Sequence, residues 1–316
     1  MNISRALVLV LMVLMGCDEL SPNASPMEQA APPSRPAPPV ASTESRRIAA
    51  YYASVQSRLL AQGKLRQEYT PKDVPFDADD LVAHFEQVAL YDEYTLSDGS
   101  FVEQKTISSL RRWNKTVRIG LHFGASVTPE QQKKDTAAVQ QFSVRLAQLT
   151  GLNFRLTDLR NANFIMLFLN RDEQISQTPM LSESVPQLLP AIVREIQNSP
   201  RNIFCVAYAL SNAEKPTNYS GAVILIKAEH AQIMRDSCIQ EEMTQALGLA
   251  NDGPDIRPSI FNDDEEFANL TYHDALLLEM LYDPRLKTGM TPDRARPILK
   301  QVAQDALNKG GPHGYF

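Results

Sequence analysis

The chain lacks several features that would assign it to a common functional class. It has no basic excess, because 31 Lys and Arg are opposed by 37 Asp and Glu, for a net charge of −6. A nucleic-acid-binding surface needs concentrated Lys and Arg, so the composition predicts no nucleic-acid partner. Neither a glycine-rich phosphate-binding loop nor the G-x-S-x-G turn of serine hydrolases occurs in the sequence. Beyond the first 17 residues, no apolar run reaches the roughly 18 residues that a membrane-spanning helix needs.

Residues 1–17 form a predicted targeting peptide that is excluded from the fold. Arg5 precedes the apolar run Ala6–Met15, which is followed by Gly16-Cys17. This ending resembles the bacterial lipobox, in which the cysteine becomes the lipid-modified first residue; the alternative is an ordinary cleaved signal with an incidental cysteine. The resemblance implies a protein of the cell envelope that faces the periplasm and is attached to the membrane by its lipid. Asp18 favours the inner membrane.

Cysteine is scarce, and only Cys205 and Cys238 remain once Cys17 is assigned to the lipid. Outside the cytoplasm, an even pair of cysteines is most simply a disulfide. Such a bridge would close a loop of about 33 residues and contribute roughly 3–4 kcal/mol in the chain-entropy model. Two buried free thiols are the alternative. Zinc binding by this pair is disfavoured, because no third or fourth soft ligand lies near it in the sequence.

The remaining chain divides by composition and periodicity. Residues 18–45 are a predicted tether, because the seven prolines between Ser21 and Ser45 favour extended polyproline II. Residues 46–112 are a predicted N-terminal helical extension, and residues 113–316 are the main domain. Within the main domain the patterns predict strands over 117–123, 152–156, 164–169, 203–210 and 222–226, and helices over 129–149, 183–197, 235–249, 270–281 and 292–307.

The predicted helix 235–249 carries the most informative motif of the chain. It contains Glu241-Glu242-Met243-Thr244-Gln245, and Ala246-Leu247-Gly248-Leu249-Ala250-Asn251-Asp252 follows. The spacing resembles the metzincin motif H-E-x-x-H-x-x-G-x-x-H, which is followed by a Met-turn. Glu241, Gln245 and Asn251 occupy the positions of the three zinc-binding histidines. The general-base glutamate and the turn glycine are kept, as Glu242 and Gly248.

The resemblance continues after the motif. Ser259-Ile260-Phe261 stands where the Ser-x-Met of the Met-turn belongs, with Phe261 in place of the methionine. The chain is also similar to an uncharacterised family of bacterial envelope lipoproteins with this altered motif. The resemblance implies an α+β fold of the zincin type: a twisted mixed sheet, an active-site-type helix and a C-terminal helical subdomain. The alternative is a plain amphipathic helix with a glycine at its C-terminal end.

The substituted ligands argue against the chemistry of that fold. Zinc prefers histidine nitrogen and cysteine sulfur, whereas Glu241, Gln245 and Asn251 offer only oxygen. Without a metal, Glu242 has no activated water to deprotonate and is a vestigial general base. We therefore expect no bound metal and no cofactor. The five histidines and the acidic run 263–266 are interpreted as surface or packing residues rather than as ligands. The alternatives are a zinc site made by His230 and His273 and a calcium site at the acidic run.

The expected function is non-catalytic binding of an envelope protein or peptide. In zincins, an edge strand of the sheet pairs with an extended substrate, and the strand 222–226 or a neighbour would supply that edge. One alternative is an active hydrolase or peptidase that uses a non-standard metal site around Glu242. A second alternative is a purely structural envelope lipoprotein.

Overall fold

The computed structural model describes residues 41–97, 100–183 and 185–309. The predicted signal peptide, Cys17, Asp18 and most of the predicted tether lie outside these ranges. Helix α1 (Thr43–Ala61) begins at Thr43, so the last residues assigned to the tether are helical. None of the helices in the described ranges combines the length and apolarity that a bilayer crossing requires.

A six-stranded, mostly parallel sheet forms the centre of the fold. Its main order is β5-β4-β6-β8, with all four strands parallel, and β7 pairs antiparallel with the other side of β8. The short β3 pairs parallel with the N-terminal half of β8. Mixed sheets of this kind are typical of α+β folds. The strands of this sheet are β3 (Arg112–Trp113), β4 (Val117–Phe123), β5 (Phe154–Thr157), β6 (Phe164–Leu169), β7 (Cys205–Asn212) and β8 (Lys215–Lys227).

Helices surround the sheet and follow it. The helices after α1 are α2 (Ala78–Ala89), α3 (Pro129–Thr150), α4 (Arg171–Ser176), α5 (Thr178–Ser182), α6 (Pro190–Asn198), α7 (Gln232–Gln245), α8 (Tyr272–Tyr282) and α9 (Pro292–Lys309). The predicted helix over 183–197 is therefore wrong in its first half, because α6 begins only at Pro190. Leu189, the residue before α6, is extended with ψ 152°, as expected of a residue that precedes proline.

Strand β6 shows why the sheet is buried on both faces. All six of its side chains are buried, because the strand lies between β4 and β8. Successive side chains point to opposite faces of a strand. Phe164, Met166 and Phe168 therefore join the core that includes α3, α7 and α8, whereas Ile165, Leu167 and Leu169 pack with α6. The uninterrupted apolar run predicted this central position.

Two elements depart from the sequence prediction. A two-stranded antiparallel hairpin, β1 (Tyr91–Ser97) and β2 (Ser100–Ile107), lies within the segment predicted as a helical extension. The segment 211–220, which lies between the predicted strands 203–210 and 222–226, is mostly strand, because β8 begins at Lys215 and continues the β7–β8 pairing. Both segments are rich in polar residues, which gives a sequence pattern that does not indicate a strand.

Helix α7 is attached to two neighbouring elements. The predicted disulfide is present: Cys205 of β7 and Cys238 of α7 are bonded, with their Cα atoms 5.9 Å apart. On another side, Arg235 donates from Nε and Nη2 to the two carboxylate oxygens of Asp135 in α3, at 2.9 and 2.6 Å. Both side chains of this ion pair are essentially inaccessible to solvent. The disulfide and the ion pair together fix the position of α7.

The buried ion pair gives a test of the α3–α7 packing. Asp135→Ala leaves the Arg235 guanidinium buried without its counter-charge, so we expect the free energy of unfolding to fall by about 3–5 kcal/mol. Urea denaturation would measure this change. Asp293→Ala removes one partner of an exposed pair and is the control, with an expected change within about 0.5 kcal/mol. Equal effects of the two substitutions would contradict the anchoring role of Asp135.

Candidate functional site

The turn after α7 is held in place by the core. Trp113 donates its indole N–H to the carbonyl of Ala246 at 2.8 Å, and the Tyr282 hydroxyl donates to the carbonyl of Leu247 at 3.0 Å. Gly248 follows with φ +126°, a conformation that side-chain-bearing residues rarely adopt. A Cβ atom there would also lie 2.3 Å from the carbonyl oxygen of Arg111. The glycine of the motif is therefore required by backbone conformation and by close packing.

The last turn of α7 brings two adjacent carboxyl groups to the disulfide. Carboxylate oxygens of Glu241 and Glu242 and the sulfur of Cys205 lie within 4.8 Å of one another. Glu242 is only 4% exposed, and its Oε2 is buried with no hydrogen-bond partner. A buried carboxyl oxygen without a partner costs free energy, so it needs a physical explanation. This pair is the centre of the candidate site.

Further acidic residues surround the pair. Burial, followed by the charges of Asp252 and Glu265, raises the pKa values of both Glu241 and Glu242 well above the usual range. Burial also raises the pKa of Glu265 to about 7, with a contribution from Asp263. Clusters of titratable groups with perturbed pKa values occur preferentially at functional sites. We name Glu241, Glu242, Asp252 and Glu265 the carboxyl cluster.

Gln245 is connected to this cluster. It donates its side-chain amide nitrogen to Oδ1 of Asp252 at 2.6 Å, which spans the turn between the end of α7 and the following loop. Two positions assigned to absent zinc ligands, Glu241 and Gln245, therefore lie at the cluster, as their helical spacing predicts. Asp252 joins them, although the sequence interpretation gave that place to its neighbour Asn251.

Asn251 has a different set of partners. Its side-chain amide nitrogen donates to the carbonyl of Gln87 at 3.1 Å and to the carbonyl of Tyr91. These carbonyls lie at the end of α2 and the start of β1. The residue is 6% exposed, so the contacts are buried. Asn251 thus ties the loop after α7 to the N-terminal part of the fold, a role that the sequence interpretation did not include.

The segment at the Met-turn position is fixed by one aspartate. Asp274, at the start of α8, accepts hydrogen bonds from the Ser259 hydroxyl and from the backbone N–H of Ile260. Ser259 Oγ in turn accepts from the backbone N–H of Phe261 at 2.9 Å. The Phe261 side chain is fully buried in the main core. Ser259 and Phe261 therefore form a rigid turn with no exposed functional group.

The histidines form contacts outside the carboxyl cluster. His84 Nδ1 and His273 Nε2 are 2.9 Å apart, although the residues are 189 positions apart in the chain. Burial lowers the pKa of His84 to about 4, with a contribution from His273. His230 is hydrogen-bonded to the carbonyl of Phe204 and stacks on Tyr52. His230 and His273 therefore contact different residues, Phe204 and Tyr52 in one case and His84 in the other.

Sequence interpretation missed two members of the carboxyl cluster. Glu265 was assigned, with its neighbours, to a solvated acidic loop; Asp263 and Asp264 are exposed, but Glu265 is partly buried and has φ +56°. A side-chain-bearing residue at positive φ is uncommon and often marks a special position. Asp252 was noted only as a continuation of the motif. Both residues lie near α7 because distant segments of the chain pack together, and no local sequence pattern predicts that packing.

Strand β7 begins at this cluster and forms an edge of the sheet. Among the strands that the structure describes, β7 pairs only with β8. The sequence prediction left the edge at 222–226 or at a neighbouring strand, and residues 222–226 are not the edge, because they pair with β6 on one side and with β7 on the other. The edge strand is β7, which neighbours residues 222–226 in the sheet.

The titration of Glu265 gives a second prediction. Its folded carboxyl, with a pKa of about 7 against 4.5 in the reference state, holds a proton that the unfolded chain releases. Its contribution to stability is therefore lost as pH rises from about 4.5 to about 7. We expect Glu265→Gln to become progressively more stable than the native chain across this window, with a constant difference at higher pH. Denaturant unfolding at several pH values measures this difference, and a pH-independent difference would contradict it. Glu214→Gln, in the exposed β7–β8 loop, is the control.

Comparison with known proteins gives one match. A family model described as "Protein of unknown function (DUF2927)" matches residues 78–301, which is more than half of the chain. The match includes α7, β7 and every member of the carboxyl cluster. No curated protein and no solved structure matches the chain.

Proposed function

The chain belongs to the DUF2927 family, and from its candidate site we propose that it is a zincin-like domain without zinc that binds an extended peptide along strand β7. The observation that carries this proposal is the position of the edge strand. Cys205, the first residue of β7, lies beside the carboxylates of Glu241 and Glu242. A peptide added to β7 would therefore run past the carboxyl cluster.

The edge of β7 can supply affinity for a backbone. An edge strand presents unpaired N–H and C=O groups, to which an extended peptide can add as a further strand. On the α7 side, β7 carries the small Ala207 and Ala209, whereas Val206, Tyr208 and Leu210 face α6. The small side chains leave space on the α7 side for the side chains of an added strand.

The carboxyl cluster supplies a preference among peptides. Glu241 is partly exposed beside Cys205, so a side chain of the added strand can reach it. A Lys or Arg at that point would favour the ionised carboxylates and would offset their mutual repulsion. We therefore propose that the peptide is extended and carries a basic residue where it passes the first residue of β7.

Several observations support a zincin-like domain that does not use zinc. The mixed sheet, the motif helix α7 beside it and the helices α8 and α9 that follow correspond to the parts that the motif resemblance implies. Gln245 is hydrogen-bonded to Asp252, and the amide nitrogen of Asn251 is engaged by backbone carbonyls. These contacts stabilise the two side chains in the absence of a metal.

Peptide binding can be measured directly. A set of short fluorescent peptides, identical except for Lys or Glu at one central position, would be titrated into the oxidised protein. We expect the Lys peptide to bind more tightly, and Glu241→Gln to weaken its binding about fivefold, because a partly exposed ion pair contributes up to roughly 1 kcal/mol. The same peptide with all its backbone amides N-methylated should lose binding, because it has no backbone N–H groups to donate to an edge strand.

The control for this measurement lies on the same hairpin. Glu214→Gln removes the same charge in the exposed loop between β7 and β8, away from Cys205. Its effect on binding of the Lys peptide should be within twofold, since added salt screens such distant charges. Equal losses in the two variants, or equal binding of the N-methylated peptide, would contradict binding at this edge.

The zincin-like geometry has a separate test. If Glu241, Gln245 and Asn251 occupy the positions of absent ligands, then the combined variant Glu241→His, Gln245→His and Asn251→His should acquire a zinc site. Zinc content after dialysis measures this gain, and the native oxidised protein is the control. A variant that keeps the native circular dichroism spectrum and retains no zinc would show that the correspondence with metzincins is incorrect.

A hydrolase is the second candidate, and Glu242 favours it. Its buried carboxyl has an unpartnered oxygen and a pKa raised by burial and by Asp252, as a general acid or base would require. This candidate predicts cleavage of the peptides that bind, and loss of cleavage in Glu242→Gln. Mass spectrometry of the peptides measures cleavage. Peptides that bind and stay intact favour the non-catalytic role.

We further propose that the domain is attached to the cell envelope by lipid on Cys17 and faces the periplasm, with Asp18 favouring the inner membrane. The support is the apolar run that ends in Gly16-Cys17 and the proline-rich segment that follows. We expect the native chain in the membrane fraction to incorporate a labelled fatty acid and Cys17→Ser to incorporate none. Equal labelling of the two chains would contradict lipid attachment through this residue. A purely structural role would require that no peptide binds.

A further inference from the structure

The disulfide and the carboxyl pair occupy one place in the fold. The Cys205 sulfur and carboxylate oxygens of Glu241 and Glu242 are mutually within 4.8 Å. The Cys238 sulfur is bonded to that of Cys205, and Cys238 precedes Glu242 by four residues on α7, which is about one helical turn. Three potential ligand atoms therefore lie close together, and the Cys238 sulfur adjoins them through its bond to Cys205.

In the oxidised protein this set is incomplete as a metal site. Each sulfur is bonded to the other, and a disulfide sulfur is not the thiolate that binds metals. The carboxyl groups alone offer hard oxygen ligands, which zinc accepts less readily than nitrogen or thiolate sulfur. Glu242 Oε2 meanwhile remains buried without a partner. This unpartnered oxygen independently indicates that the position accommodates a ligand that the oxidised chain does not supply.

We propose that reduction of the Cys205–Cys238 disulfide creates a binding site for Zn²⁺, held by both thiolates and by the carboxylates of Glu241 and Glu242. A dithiol reductant supplies the two electrons and two protons: the sulfur–sulfur bond of the protein breaks, two cysteine thiols form, and the reductant closes its own disulfide. When Zn²⁺ binds, the two thiol protons and any protons held by the carboxyl groups of Glu241 and Glu242 leave, and two sulfur–zinc and two oxygen–zinc bonds form.

The dimensions of the place suit this ion. Zinc is usually tetrahedral, with bonds of about 2.3 Å to sulfur and about 2.0–2.2 Å to carboxylate oxygen, so its ligands lie roughly 3.3–3.8 Å apart. The ligand atoms of Cys205, Glu241 and Glu242, which are at most 4.8 Å apart, therefore need to approach one another by no more than about 1.5 Å. The two sulfur atoms need to separate, which breaking their bond permits.

This site differs from the metzincin positions, because Gln245 and Asn251 take no part in it. It also does not depend on the proposed peptide function, which belongs to the oxidised protein without metal. The two proposals can therefore fail separately: the peptide titration requires no zinc, and the zinc titration requires no peptide.

Zinc affinity in the two redox states tests the proposal. The full chain with Cys17→Ser, which removes the third thiol, would be studied oxidised and after anaerobic reduction and removal of the dithiol. Competition with a chromophoric chelator should show one tightly bound Zn²⁺ per reduced chain and none per oxidised chain. Co²⁺ in place of Zn²⁺ should give thiolate-to-cobalt absorption only in the reduced protein. Equal zinc affinity in both states would overturn the proposal.

Variants separate the carboxyl ligands from a site made by the cysteines alone. Glu242→Gln keeps both thiols and should weaken zinc binding by about 10–100-fold, the loss typical when a group that supports a metal is removed. Glu214→Gln, the matched control, should leave zinc affinity unchanged. Unchanged affinity in both Glu241→Gln and Glu242→Gln would overturn the assignment of the carboxylates.

Reduction also removes a cross-link, so near-ultraviolet circular dichroism is recorded in parallel. If the reduced chain loses its native spectrum, Zn²⁺ should restore it, because a metal that binds only the folded state stabilises that state. A reduced chain that stays unfolded at saturating Zn²⁺ would equally refute the site. Cys205→Ser combined with Cys238→Ser lacks both thiolates and should show neither restoration nor the cobalt absorption.

Discussion

The fixed position of helix α7 is the constraint on which the candidate site depends. The helix is bonded covalently to β7 through Cys205 and Cys238, and its Arg235 is paired with Asp135 of α3 in a dry interior. The buried face of α7, which includes Ile239 and Met243, packs in the main core between these attachments and its neighbours. Together they hold the last turn of α7 against the start of the edge strand, which places Glu241 and Glu242 beside a disulfide and near two further acids.

Concentrating acids in this way opposes folding, and the compensation comes from elsewhere in the molecule. Burial raises the pKa values of Glu241, Glu242 and Glu265 because the charged forms lose their hydration. Core packing on both faces of β6 and the fixed turn after α7 supply stability that the cluster itself does not. Ligand-binding sites typically contain an energetically unfavourable arrangement of groups that the rest of the structure stabilises.

Local patterns predicted the elements that dominate this fold. Alternation gave β4, the continuous apolar run gave β6, and cysteine number gave the disulfide, because each rests on a physical rule that acts within a short segment. The β1–β2 hairpin was missed because its residues are mostly polar. Asp252 and Glu265 were missed because their approach to α7 arises from how distant segments pack. Glu265 was also interpreted in the same way as its exposed neighbours, since residue type alone does not determine whether a side chain is exposed.

Asn251 determines where the chain can be divided. Its amide nitrogen satisfies carbonyls at the end of α2 and at Tyr91, which lie about 160 residues earlier in the chain. A shortened protein beginning at Trp113 would remove these acceptors, so donors in the loop after α7 would lose their partners. The smallest independently folding piece that contains the carboxyl cluster therefore has to include α2 and the first residue of the hairpin.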